Sequence, residues 1–222
     1  MPKIREMFDQ IYKRYDLLNH LMSLGRDIAW RKACCRKLPQ KENAVVLDLC
    51  GGTGDFSIAY SKIIAPRLSI VGDFAGNMLS VAEKKDSGLK LVQMDATKIP
   101  IADNSVDFVL NGFGMRNIQE LGIAFGEAFR VLKPGGYFAT LDFFKPEKTI
   151  SKLFYRRIAP LAIPFIGMIF SKHNAYRYLV LSILNFITAR EYVAKAKNAG
   201  FALRSVKALD GGLAHIVICE KK

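Results

Sequence analysis

Residues 47 to 55 read Leu47-Asp48-Leu49-Cys50-Gly51-Gly52-Thr53-Gly54-Asp55, an apolar run that breaks into glycines where a helical stretch begins. Glycines at such a bend let the backbone turn sharply and let a ligand lie against main-chain N–H groups with no Cβ in the way. Adenosyl ligands, dinucleotides and phosphates all use bends of this kind, and some are only turns. Two details narrow the choice. Counted from Gly52 the spacing is G-x-G-x-x-S, so the third glycine of the dinucleotide fingerprint is missing. No Gly-Lys-Ser/Thr follows, which excludes a P-loop. Asp48, Gly51, Gly52, Thr53 and Gly54 are the candidate ligand-holding residues here.

Outward from the bend, short β-branched runs alternate with amphipathic stretches, the pattern of an α/β fold with a doubly wound sheet and helices on both faces. Strands are expected at 44–49, 68–73, 89–94, 106–110 and 137–142, and helices near 54–64, 76–85 and 118–132. Lys133-Pro134-Gly135-Gly136 stops the last of these. After a helix at 189–198, strands at 202–208 and 214–219 are separated only by the turn Asp210-Gly211-Gly212. A parallel pair would need a crossover of a dozen residues or more, so these two form an antiparallel hairpin. That closing hairpin is a feature of S-adenosylmethionine (SAM) methyltransferase sheets, Rossmann-like with seven strands, and is unusual in nicotinamide-binding domains. Asp73 ends the second strand 19 residues beyond Gly54, where a carboxylate can accept bonds from both hydroxyls of a ribose. SAM and NAD are equally served by that role. Asp95-Ala96 follows the third strand, where methyltransferases usually meet the adenine amine.

At 222 residues, 50% of them apolar, the chain has enough material for one full core. A single domain over 1–222 is expected, with an N-terminal helical cap at 1–43 and a helical lid at 145–187. The net charge of +13 is unevenly placed. Residues 1–42 carry ten basic and five acidic side chains, residues 43–144 nine and eleven, and residues 145–207 twelve and two. The basic excess flanks residues 158–170, an uncharged stretch that Pro160 and Pro164 make too short and too broken to span a bilayer. It can lie on a membrane, line an apolar pocket, or be an ordinary buried helix. Residues 1–14 mix charges through their apolar positions, so no secretory signal is expected and a cytoplasmic location is. Cys34, Cys35, Cys50 and Cys219 show no metal-type spacing; buried thiols are expected, and no metal. Nor is there an aromatic-basic module for nucleic acid, which is not an expected partner.

Five stretches together resemble a known family, the UbiE-type C-methyltransferases of ubiquinone and menaquinone synthesis. They are Tyr15-Asp16-Leu17-Leu18-Asn19-His20-Leu21-Met22-Ser23 with Trp30, the glycine bend, Asn111-Gly112-Phe113-Gly114-Met115-Arg116-Asn117, Arg130-Val131-Leu132-Lys133-Pro134-Gly135-Gly136, and Tyr176-Arg177-Tyr178-Leu179 with Ser182-Ile183. The resemblance implies SAM as methyl donor and a polyprenylated quinol as acceptor; charge and apolarity over 145–187 are expected to bring the enzyme to the anionic inner face of a membrane, and a homodimer is left open. It adds Asn111 and Gly112 to the cofactor residues and nominates Arg116 and Asn117 as catalytic. Arginine stays protonated, so Arg116 reads as a phenolate stabiliser or a partner to a relaying water. Tyr15, Asn19, Tyr176 and Arg177 are the candidate substrate contacts. Several positions depart from the family pattern: Asp27 for histidine, Leu18 for methionine, Cys50 for alanine, Asp142 for glutamate, Phe144 for serine, and His215 two residues before the family's C-terminal histidine. These leave room for a methyltransferase acting on another lipid, phenol or amine. An RNA methyltransferase and a SAM sensor without turnover are weaker alternatives.

Overall fold

In the computed structural model, which describes residues 9, 11–23, 25–147, 153 and 173–222, two helices precede the sheet: α1 (Tyr15–Met22) and α2 (Arg26–Cys35). The alternation that follows is β1 (Val45–Leu49), α3 (Asp55–Ser61), β2 (Leu68–Asp73), α4 (Gly76–Lys85), β3 (Lys90–Gln93), β4 (Val106–Gly112), α5 (Leu121–Val131) and β5 (Leu132–Asp142). Helices α6 (His173–Asn185) and α7 (Ala189–Asn198) lead to β6 (Ala202–Leu209) and β7 (Ala214–Glu220). The seven strands lie in the order β3-β2-β1-β4-β5-β7-β6. All neighbours are parallel except β7, which is antiparallel to both β5 and β6, the second as the tight turn between them requires. Residues 158–170 and much of the expected lid lie outside the described residues. Among those described, no helix is long and apolar enough to cross a membrane.

Element ends shift from the expected ones for local reasons. Helix α3 stops at Ser61, where the Ile63 amide turns back to the Tyr60 carbonyl in a 3₁₀-type bond. Helix α5 starts three residues late, because Met115–Asn117 curl into a 3₁₀ turn and Ile118 is extended. Strand β5 takes in the Lys133-Pro134-Gly135-Gly136 segment, since Gly135 and Gly136 exchange backbone hydrogen bonds with Lys221.

Both faces of the sheet are covered, and successive residues of one strand feed opposite cores. Leu47, Val109, Phe138 and Val217 face α5 and α7, while Val46, Phe108, Ala139 and Ile216 face α2 and α3. On the first side Phe125 packs edge-on against Tyr192 at 4.8 Å, and the buried Tyr192 hydroxyl pairs with Thr140 Oγ1 at 2.7 Å. Cutting such a ring to alanine costs about 3–5 kcal/mol. Lys221 ends α5 from outside. Its ammonium donates to the carbonyls of Phe129 (2.7 Å) and Leu132 (2.8 Å), supplying a cation where the last turn leaves carbonyls unpaired. Thr188 and Glu191 close the start of α7 with a reciprocal capping box.

Candidate active site

Strand order reverses between β1 and β4, and a crevice opens at the carboxyl ends of the strands at such a point. Here it is a cleft of about 800 Å³.

Its β1–β3 side is shaped by backbone. Cys50, Gly52 and Gly54 all have left-handed φ (55°, 54° and 78°), which folds the chain back on itself in five residues. Gly51 is bare for a spatial reason: a Cβ there would lie 2.7 Å from Asp48 Cγ and 2.9 Å from the Asp48 carbonyl oxygen. Asp48 is fully buried beneath the bend and accepts the Ser57 amide at 2.9 Å. Burial pushes its carboxyl up to about 7 against that bond. Asp73 Oδ2 accepts the Gly52 amide and Oδ1 the Ala75 amide, each at 2.9 Å. Burial pushes Asp73 up to about 6 even so. Gly72 leaves the space that Met94 fills, since a Cβ there would be 2.6 Å from the Met94 sulfur.

Gly52, Asp73, Asp95, Ala96 and Gly112 face the cleft. Asp95 is exposed and holds the Thr97 amide and hydroxyl. The other cofactor candidates stand behind the wall. Thr53 donates its hydroxyl to Asp16 Oδ1 at 2.6 Å. Buried Asn111 donates from Nδ2 to the Leu49 carbonyl (2.6 Å) and accepts at Oδ1 from the amides of Gly114 and Met115, so it staples the β1 bend to the turn after β4.

The β4 side is built by side chains. Tyr15 and Asn117 line it. Asn19 hydrogen-bonds Tyr15, whose hydroxyl is raised by burial while the charge of Arg116 opposes the rise. Asn117 Oδ1 accepts from the Tyr178 hydroxyl of α6 at 2.8 Å. Arg116 does not line the cleft. It donates from Nη1 to Asp142 Oδ1 at 2.8 Å and to the Phe113 carbonyl, and its guanidinium lies 5.7 Å from the Phe143 ring centroid. Asp142 is buried, which raises its carboxyl, and Arg116 pulls it back down. The pair ties the turn after β4 to the end of β5. The side chains of Tyr176 and Arg177 lie outside what is described; their backbone belongs to α6.

A polar seam joins the N-terminal helices to this frame. Lys85 reaches Asp16 and Asp55, both at 2.6 Å, and Arg31 reaches Asp27 at 2.6 Å and Asp55 at 3.8 Å. His20, Asp27 and Asp55 bring ligand-type atoms within 4.8 Å of one another, and the Arg31 guanidinium supplies the positive charge there. Burial pushes the Asp27 carboxyl up, but bonds from Ser23, His20 and Arg31 outweigh it, and the net shift is downward. Trp30 Nε1 and Arg26 both donate to Asp210 in the β6–β7 turn. Sequence reasoning missed Asp16, Asp142 and Tyr178 as site-shaping groups. Tyr178 stood in a quoted motif, but nothing local marked it as a partner of Asn117.

Residues 2–221 match the ubiE/COQ5 methyltransferase family. The chain belongs to that family. Among similar curated proteins is the demethylmenaquinone methyltransferase of Staphylococcus carnosus (strain TM300), 37% identical over 227 residues, covering 99% of this chain and 94% of that one. The protein of the same name from Staphylococcus aureus (strain JH9) is 36% identical over 226 residues, with the same coverage. A SAM-dependent methyltransferase structure from Thermotoga maritima superposes with a TM-score of 0.71 at 15% identity, over 98% of this chain and 99% of that one. Another from Aquifex aeolicus gives 0.65 at 20% identity, over 86% and 89%. The fold is therefore that of class I methyltransferases, and this member of the ubiE/COQ5 family is an enzyme of that type. Four of its departures from the family pattern sit in contacts that the structure shows. Asp142 holds Arg116, Asp27 holds His20 and Arg31, and Phe144 packs edge-on against His215 at 5.6 Å. Leu18's side chain is outside the described part.

Proposed function

We propose that this enzyme takes the methyl group of SAM and places it on a ring carbon of a polyprenylated quinol of the demethylmenaquinol type. One observation carries the donor half of the reading: the Asp73 carboxylate, buried at the cleft wall and held from both sides by the amides of Gly52 and Ala75. A carboxylate offers about four lone-pair positions, so with the amides of Gly52, Ala75 and Phe74 against it Asp73 keeps capacity for a ribose hydroxyl. The cradle fits SAM. Gly52 bares a left-handed backbone toward Asp73, and Met78, Met94, Ala96 and Ile118 give an apolar wall beside Asp95 for the adenine. When bound, SAM supplies an electrophilic methyl on a sulfonium.

The chain's own contribution is to align and to exclude water. Asp73 orients the donor, and Tyr15, Asn19 and Asn117 frame the acceptor end. Arg116 sets the turn that carries Asn117, and its charge is felt at the hydroxyls of Tyr15 and Tyr178. The relatives named above support the quinol; an apolar cleft wall suits its ring. In this reading the chain is one domain, with residues 1–43 and 145–187 as cap and lid and with Tyr176 and Arg177 near the tail. The basic and apolar residues of 145–187 bring the enzyme to anionic membrane, at about 1 kcal/mol per basic residue near the surface.

The test is an assay of purified enzyme with SAM and a short-tailed demethylmenaquinol kept reduced, read by mass spectrometry. A product one methyl group heavier is expected. No product, together with no calorimetric affinity for SAM, overturns the reading. Co-sedimentation with liposomes is expected to rise with anionic lipid and fall with salt.

A further inference from the structure

Asn117 stands on the cleft wall at the end of the 3₁₀ turn, and an amide side chain can present either of two opposite faces to a ligand. Its neighbour on α6 settles which. The Tyr178 hydroxyl is a 2.8 Å donor to Asn117 Oδ1, which turns the amide oxygen toward the helix. Burial raises the Tyr178 hydroxyl, with Arg116 opposing, so the phenol stays protonated and keeps the O–H that it donates to Asn117 Oδ1. The nitrogen end remains, with two N–H groups and no hydrogen-bond partner among the described residues. The base of the side chain is fixed as well. The Asn117 amide bonds the Gly114 carbonyl at 3.0 Å, and Arg116 is held by Asp142 through both its backbone amide (3.3 Å) and its guanidinium (2.8 Å).

We infer that Asn117 is an oxyanion donor, its Nδ2–H groups bonding the acceptor's ring oxygen as that oxygen gains negative charge, and that Tyr178 is the positioning residue that keeps the amide in the donating orientation. The inference rests on the quinol reading above. In the reaction the ring hydroxyl gives its proton to water, the adjacent ring carbon bonds the methyl group, and the methyl–sulfur bond breaks with its electron pair left on sulfur. The proton on the methylated carbon then leaves and the ring is aromatic again. A fixed N–H donor bonds the charged oxygen more strongly than the neutral hydroxyl, so its effect falls on the rate more than on binding.

Asn117→Asp separates this role from a merely structural one. Aspartate still accepts from Tyr178, so the tie to α6 survives, but it has no N–H to offer. The variants Asn117→Asp, Tyr178→Phe and the double variant are compared with wild type for kcat and KM toward the quinol, SAM affinity and Tm. Removal of one oxyanion donor lowers kcat by about 100-fold in well-studied cases, and Asn117→Asp is expected to do so with SAM affinity within about twofold. Tyr178→Phe is expected to lower kcat by roughly 10-fold alone, and by less than about twofold once Asn117 is aspartate, because the two act as a unit. The acidic limb of the kcat–pH profile is expected to move to higher pH in both single variants. An Asn117→Asp enzyme with kcat within about threefold of wild type, or costs that simply multiply in the double variant, overturns the inference. Wild-type enzyme that makes no methylated quinol would sink the reading beneath it as well; active wild type with indifferent variants would sink this inference alone.

Discussion

At the β1–β3 side of the cleft the groups that shape the wall are held by main-chain amides: Asp73 by Gly52 and Ala75, Asp48 by Ser57. At the β4 side they are held by side chains far away in sequence, Arg116 by Asp142 and Asn117 by Tyr178. The first arrangement needs only a bend and a few glycines in one short segment, and it suits a donor that does not change. The second depends on contacts between residues far apart in sequence. Of the departures from the family pattern, Asp142, which holds Arg116, and Phe144, which packs on His215, fall on the second side, and Cys50 falls in the bend on the first.

If this division is right, damage on one side should leave the other intact. The largest effect is expected from Arg116→Ala, which strands Asp142 as a buried charge; about 3–5 kcal/mol of stability should go, seen as a lower denaturation midpoint. Methyl transfer should be lost while the folded fraction keeps SAM affinity within a few-fold, and a large loss of SAM affinity would erase the distinction. Asp73→Ala is the mirror case. A roughly 100-fold weaker donor affinity, about 2.7 kcal/mol, is expected by calorimetry, with Tm changed little. Wild-type donor affinity should itself decline as pH falls through about 6, where Asp73 takes up a proton.

Asp48 gives a third, smaller and opposite signal. Its carboxyl is raised from an ordinary 3.8 to about 7, so the folded chain binds a proton more tightly than the unfolded one. Stability is therefore lost as pH rises from about 4 to about 7, and the full penalty stands above that. Asp48→Asn should be about 2 kcal/mol more stable than wild type at pH 8, with the gain vanishing toward pH 4 in paired thermal melts. Weakest should be Asp16→Ala, which frees the Thr53 hydroxyl and one anion of Lys85, both partly exposed. A cost of at most about 1 kcal/mol and a few-fold rise in quinol KM are expected, and added salt should bring wild type toward the variant.

The two sides also differ in how far they can be read from residues alone. The glycine bend, Asp73 and the antiparallel close of the sheet follow from local rules: turn chemistry, strand period and the length of a connection. Helix ends were displaced by one to three residues, where carbonyls such as that of Tyr60 found other partners. Arg116 could be nominated only by resemblance, and its partner not at all, because 26 residues and a whole α/β step separate it from Asp142. Asn111 was likewise nominated only by resemblance, and its amide is taken up by the carbonyl and amides of the two loops it joins.

Asp210, in the last turn of the sheet, accepts from Trp30 and Arg26, which precede it by 180 and 184 positions. The helix that bears Trp30 leaves the ribosome long before its anchor is made. A nascent chain halted before the final hairpin would hold its N-terminal helices through Asp16 and Arg31, with the tie of Trp30 and Arg26 to Asp210 still unmade.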